Sequence, residues 1–162
     1  MKNDIKNKKL VLFDIDYTLF DTASFIKSDL SEYKLYEEVK NVLKKIARIS
    51  ELGIFSEGTY DFQTAKLLET GIIDHFTKNR IHIFTDKKSS IDEVLDKYKK
   101  YKIFLVDDKI NVLMVAKKTN PSTICIWLKN GPFAERAEGT DFNADFVLTD
   151  LKELEGIIEN YG

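Results

Sequence analysis

A repeated unit limits this chain to few folds: a short apolar run followed by a stretch with helical periodicity. The runs are Leu10–Phe13, Ile54–Phe55, Ile81–Phe84, Ile103–Val106, Ile124–Leu128 and Phe146–Leu148. They are near-continuous rather than alternating, as strands covered on both faces are. Between them Ile91, Val94, Leu95 and Tyr98 follow helical spacing behind Ser89 or Ser90 as an N-cap. Asp92 and Glu93 in the first turn, with Lys97, Lys99 and Lys100 in the last, suit the helix dipole. Val39, Leu43 and Ile46 predict a helix ending near Gly53, and Gly71 closes one that begins near Thr59. Asp150 and Glu153 form a capping box before a last helix with Leu151, Leu154 and Ile158 inward. Strands alternating with helices predict a three-layer α/β/α domain on a mostly parallel sheet.

Composition narrows the class. The 162 residues suit one domain, 1–162, preceded by a polar tail at 1–9. Hydrophobic residues at 43% and charged residues at 32% describe a globular chain, not a disordered one. A formal net charge of −2 supplies no general attraction to nucleic acid or an anionic membrane. The tail lacks the apolar segment of a secretory signal, and no run is as long as a membrane span. Cys125 is the lone cysteine, so a cytoplasmic location is expected, with its thiol as a small buried hydrophobe. His82, inside an apolar run, and His75, at a helix end, read as structural. The Lys97–Lys102 run with Tyr98 and Tyr101 reads as a basic helix terminus rather than a nucleic-acid contact.

In open parallel sheets ligands bind beyond the carboxyl ends of the strands, so the polar residues there are the informative ones. The first run ends in Asp14 and Asp16, and the second in Ser56 and Glu57. The third ends in Thr85, Asp86, Lys87 and Lys88, and the fourth in Asp107 and Asp108. Crowded carboxylates repel one another unless a cation joins them. Oxygen donors without nearby histidine or cysteine suit Mg²⁺. If Asp14 shares a metal with Asp107 or Asp108, the first and fourth strands are neighbours. The sheet order is then 3-2-1-4-5, with an extra edge strand possible and the site at the switch point between strands 1 and 4.

The chain resembles the haloacid dehalogenase-like (HAD) hydrolases from about Leu10 to about Leu154. The strand and DxDxT of their first motif stand as LVLFDIDYTLF, and IFSEG with Ser56 is similar to the second. The third, a lysine, falls on Lys87 or Lys88, with Lys87 nearer the strand. LVDDKIN resembles the fourth in its acidic-pair form, because Val112, preceded by Asn111, stands where other members carry a later Asp.

The resemblance implies a phosphatase working through an aspartyl-phosphate on Asp14, with Asp16 as proton donor and acceptor. Ser56 and the lysine would hold the phosphate, with Glu57 and Lys88 further candidates beside Ser56 and Lys87. Mg²⁺ would sit among Asp14, the backbone carbonyl of Asp16, Asp107 and Asp108. Thr18 would support the turn. Dehalogenating relatives lack the second aspartate, so Asp16 favours phosphate esters. Competing readings are a non-catalytic phosphate-binding module and, further off, a dehalogenase or a receiver domain.

Many members insert a cap domain. Residues 20–36 are too short for one, and Phe20 and Phe25 read equally as a flap over the site or as core. The resemblance thus implies an open site, and a phosphorylated small molecule or macromolecule as substrate of a monomer or homodimer. A second subunit could also serve as the lid.

Overall fold

The computed structural model describes residues 8–137 and 141–161. Its strands are β1 (Lys9–Phe13), β2 (Glu51–Glu57), β3 (Ile81–Phe84), β4 (Lys102–Asp107), β5 (Ile124–Leu128) and β6 (Phe146–Leu148). The helices are α1 (Thr22–Lys27), α2 (Val39–Ile46), α3 (Tyr60–Glu69), α4 (Ile91–Lys97), α5 (Ile110–Thr119), α6 (Pro132–Glu135) and α7 (Leu154–Asn160). Of the expected polar tail, residues 1–7 lie outside the described residues, and Lys9 already belongs to β1.

All strand pairs are parallel, in the order β3-β2-β1-β4-β5-β6. The expected order holds, and Phe146–Leu148 is the extra edge strand. Both faces are apolar because helices cover both. Val11, Phe13, Phe104 and Val106 pack with Leu43, Ile46, Leu154 and Ile158 on one side. Leu10, Leu12, Leu105 and Cys125 pack with Val94, Leu95, Leu113 and Ala116 on the other. Phe13 pairs with Val106, which brings Asp14 and Asp107 to the same sheet edge on adjacent strands. No helix among the described residues is long and apolar enough to cross a membrane.

Local chemistry changes several boundaries. Gly53 does not follow a helix; it lies inside β2, and α2 ends at Ile46. A Cβ at Gly53 would meet Leu12 Cδ2 at 2.8 Å and the Arg80 carbonyl oxygen at 3.0 Å, so close strand packing requires glycine there. Gly71, at φ +75°, does follow α3 as expected. Ser90 precedes α4 without capping it, since the hydroxyls of Ser89 and Ser90 donate to the Asp86 carbonyl instead. Helix α4 ends at Lys97, which leaves Lys99 and Lys100 beyond it, and Tyr98 is buried. Asp150 accepts from the Lys152 backbone N–H and opens a 3₁₀ turn that runs into α7.

His82 is structural, its Nε2 2.7 Å from the Tyr98 hydroxyl. Burial, assisted by Lys97, lowers its imidazole pKa to about 4.

Two stability measurements test these placements. Gly53→Ala should cost about 1–3 kcal/mol in urea unfolding, because the new methyl meets backbone. Gly71→Ala, with nothing within 4 Å, should cost only about 1 kcal/mol, from its left-handed backbone. For His82 the unfolded chain takes up a proton that the folded one refuses between pH 6.5 and about 4. Its contribution to stability is therefore full above pH 6.5 and is lost as the pH falls to about 4. His82→Asn should flatten the stability–pH profile in that window, and an unchanged slope would refute the assignment.

Candidate active site

Beyond β1 the backbone N–H of Asp14 donates to the Val106 carbonyl at 3.0 Å, extending the pairing to β4. A tight turn follows: the N–H groups of Thr18, Leu19 and Phe20 all point at the Ile15 carbonyl. Tyr17 takes a left-handed φ of 59° within it. The loop after β5 braces this turn. Asn130 Nδ2 donates to the Tyr17 carbonyl at 3.1 Å, and a Cβ at Gly131 would run into the Tyr17 ring.

Asp14, Asp107 and Asp108 are all buried, with one ligand oxygen of each within 4.8 Å of the others. Lys87, itself 1% exposed, reaches in from the far side of β2. Its Nζ donates to Asp14 Oδ1 at 3.0 Å and to Asp107 Oδ2 at 2.5 Å. Asp107 Oδ1 accepts from the Lys109 backbone N–H at 2.8 Å, so both of its oxygens are engaged. Asp108 is different: both of its oxygens are buried, no N–H donor reaches either, and they meet the Asp14 carboxyl instead. Its backbone carbonyl accepts from Trp127 Nε1 at 2.9 Å, which fixes the residue in place.

The electrostatics follow from this imbalance. Burial, only partly offset by Lys87, raises the Asp14 pKa to about 6. Burial and the neighbouring Asp14 and Asp107 raise Asp108 to about 10. Burial alone would lower Lys87, but Asp107 and Asp14 outweigh it and hold its ammonium above the ordinary lysine range. One ammonium faces three carboxylates. The Asp108 oxygens, met by no N–H donor, are what a hard divalent cation would bind, so the donor set fits a metal.

Asp16 points elsewhere. Its Oδ1 accepts from Lys66 Nζ at 2.7 Å and Thr22 Oγ1 at 2.9 Å, and its Oδ2 from Gln63 Nε2 at 2.9 Å. Gln63 Nε2 also donates to Ser56 Oγ at 2.7 Å, joining the ends of β1 and β2. Gln63 and Lys66 are both buried, one turn apart on α3. The Lys66 ammonium lies 4.5 Å from the Phe62 ring centroid, 5.2 Å from Phe20 and 5.8 Å from Phe25. The motifs do not mark either residue. Their only sequence signal is the i, i+3 spacing of two long polar side chains beside the inward Leu67.

The remaining predicted residues separate. Ser56 is completely buried behind Gln63. Lys88 is exposed on a 3₁₀ turn, so Lys87 is the lysine that meets the carboxylates. The Glu57 carboxylate accepts from the Lys87 backbone N–H at 3.2 Å and from Lys109 Nζ at 3.3 Å. Glu57 lines the cavity, but its carboxylate is engaged by these two donors and offers no positive charge to a phosphate. The Thr18 hydroxyl has no hydrogen-bond partner, and its contribution to the turn is through its backbone.

Asp14, Asp16 and Asp108 border a cavity of about 410 Å³. Phe25, Ile26 and Leu30 line it as well, with Phe62 and Phe133 completing the apolar lining. No cap covers this mouth, and residues 20–36, too short for one, supply Thr22, Phe25, Ile26 and Leu30 to its lining. Phe20 is core, while Phe25 is both core and pocket wall.

No family model matches the sequence, and no curated protein matches it. Solved structures do. A protein described as a haloacid dehalogenase-like hydrolase, from Burkholderia xenovorans LB400, superposes with a TM-score of 0.78 at 17% identity, covering 93% of this chain and 96% of the other. The HAD-hydrolase YfnB of Bacillus subtilis, solved bound to magnesium, gives 0.72 at 10% identity over 94% and 99%. A predicted phosphoglycolate phosphatase from Haemophilus somnus 129PT gives 0.70 at 14% identity over 93% and 97%. At these identities the likeness is one of fold, and this chain has the haloacid dehalogenase-like fold.

The carboxylate imbalance has a measurable consequence. Without a metal the raised pKa keeps Asp108 protonated and neutral, so Asp108→Asn, a neutral side chain of similar size, should melt close to the wild type in EDTA. In the wild type, Mg²⁺ at about 100-fold over its Kd should add about 2.7 kcal/mol, an increment that the variant loses. A variant still stabilised by Mg²⁺ as much as the wild type would place the cation elsewhere.

Proposed function

We propose that the chain is a magnesium-dependent phosphatase that hydrolyses phosphomonoesters through an aspartyl-phosphate on Asp14. The observation that carries this is the pairing of two differently held aspartates on one cavity. Asp14 sits in the cation-deficient carboxylate cluster, and Asp16 lies apart in a cradle of three donors. Asp14, Asp108 and the Asp16 backbone carbonyl would hold Mg²⁺, with Asp107 beside them. Bound there, the ion would offset the negative charge that otherwise keeps a phosphate from Asp14. The magnesium seen in the YfnB structure supports that choice of ion.

The side chains divide the remaining work. Lys87 fixes Asp14 Oδ1 and so leaves Oδ2 to form the bond to phosphorus while the ester oxygen departs. Asp16 takes up a proton from solvent before the first step, gives it to that oxygen, then takes one from the water that cleaves the acyl phosphate and releases Asp14. Lys66, Gln63 and Thr22 stabilise the carboxylate that Asp16 becomes after the first step. Gln63 occupies a lone pair of Ser56 Oγ, which frees the hydroxyl hydrogen for a phosphate oxygen. Two N–H groups of Lys87 are used on Asp14 and Asp107, and the third remains for phosphate. Asp16 also separates the two chemistries of the fold, since a halide leaves without a proton and an alkoxide does not.

Steady-state assays test each role. Asp14→Asn should reduce Mg²⁺-dependent hydrolysis of an aryl phosphate to background, and surviving activity would remove Asp14 as nucleophile. Asp16→Asn should lower kcat on alkyl phosphates by about 10²–10⁴-fold, and far less on aryl phosphates with good leaving groups. Equal losses would argue against proton donation. Tight Mg²⁺ and phosphate binding without turnover of any phosphoester would favour a binding module. Lys66→Met should shift the acid–base profile of kcat rather than KM, because it acts through Asp16.

A further inference from the structure

The cavity beside Asp14 is lined by two kinds of side chain: charged ones, Asp14, Asp16 and Asp108 among them, and a set of large apolar ones, Phe25, Ile26, Leu30, Phe62 and Phe133. Ile26 is 58% exposed, Leu30 52%, Phe62 43% and Phe133 38%, which places half of the large exposed apolar side chains among the described residues around this one mouth. Scattered apolar side chains need no explanation, but a cluster at the rim of a pocket does.

The cationic side chains on the lining are already committed. Lys66 is paired with Asp16 at 2.7 Å, and Lys109 with Glu57 at 3.3 Å. Neither is left to receive a second anionic group of a substrate. The backbone adds a separate observation. Asp29 and Leu30 are consecutive non-glycine residues in the left-handed region, at φ 56° and 62°. Such residues cost roughly 1–2 kcal/mol each. The N–H groups of Asp29 and Leu30 donate to the carbonyls of Ile26 and Phe25, at 3.1 and 2.9 Å, and so hold the turn. That turn puts Leu30 beside Ile26 at the mouth of the pocket.

We propose that this apolar set is a subsite for the alcohol portion of the substrate, and that it selects phosphomonoesters of uncharged aromatic or branched apolar alcohols. The proposal rests on the phosphatase reading for the term "substrate", and on the pocket itself for the selectivity. The volume, about 410 Å³, lies in the range of small-ligand sites and accommodates a phosphate with a ring-sized group. Polyhydroxylated or doubly charged esters would bury polar groups against Phe25, Ile26 and Leu30 without partners.

The test compares esters whose alcohols have similar acidity, so that leaving-group chemistry does not imitate recognition. In Mg²⁺, kcat/KM for 2-phenylethyl phosphate should exceed that for ethyl phosphate and glycerol phosphate by about tenfold or more. The double variant Ile26→Asn, Leu30→Asn should collapse that ratio toward one. Asparagine tolerates the left-handed backbone at 30, so the turn is kept. Leu68→Asn, exposed on α3 away from the pocket lining, should leave the ratio unchanged. Calorimetry with phosphonates, which cannot be hydrolysed, reads the subsite without turnover: 3-phenylpropylphosphonate should bind about tenfold more tightly than methylphosphonate, and lose this in the double variant. Turnover with no preference among the esters would overturn the subsite and leave the phosphatase reading standing. A binding preference without turnover of any ester would keep the subsite and overturn the phosphatase reading. Absence of both would overturn both, and faster hydrolysis of a phosphopeptide than of 2-phenylethyl phosphate would replace the small apolar substrate with a macromolecular one.

Discussion

The ammonium of Lys87 holds the carboxyl edge of the sheet together. It stands at the end of the third strand, passes behind the second, and binds carboxylates from the first and fourth. In a site from which water is excluded, removing one partner of such a pair costs roughly 3–5 kcal/mol. Yet one positive charge cannot balance Asp14, Asp107 and Asp108. Asp107 accepts on both oxygens, Asp14 accepts from Lys87 on one, and Asp108 meets no N–H donor, only the Asp14 carboxyl. That remainder leaves room for a cation, and it separates Asp107, the last residue of the fourth strand, from Asp108 just beyond it.

This distinction shows where sequence reasoning succeeds and where it stops. The strand order was legible because two acidic sites can share a cation only if their strands are adjacent. The lysine nearer the strand end proved to be the buried one, since one residue further along the chain already turns outward into a 3₁₀ turn. The different surroundings of Asp107 and Asp108 were not legible, because they depend on where Lys87, 20 positions earlier in the chain, arrives in the fold. Gly53 was misread for a similar reason. Its need for no side chain comes from Leu12 and Arg80, which are remote in sequence and close only once the sheet forms.

Gln63 and Lys66 escaped notice because helical pattern reading assigns long polar residues to the solvent face. Here they turn inward, and they can do so because partners wait for them: Ser56 and Asp16 for the amide, Asp16 and three aromatic rings for the ammonium. Without those partners the burial of either side chain would be costly. The helix after the second motif is thus an arm that links Asp16 to Ser56. Glu57, next to that serine, differs from it: Ser56 is fully buried behind Gln63, while the Glu57 carboxylate is tied to Lys109 on the cavity lining.

The short segment after the first motif does more than close the chain between β1 and α2. Phe25 and Phe62 touch two things at once: they flank the Lys66 ammonium, and they form the apolar wall of the cavity. An apolar group seated on that wall would displace water from beside the Lys66–Asp16 pair. Coulombic interactions strengthen as the local dielectric falls, so the pair would hold Asp16 more firmly in its cradle when the pocket is filled than when it is empty. The rings that flank Lys66 thus also line the cavity, so whatever occupies that lining acts on the Lys66–Asp16 pair as well. The turn strained at Asp29 and Leu30 keeps part of that lining in place.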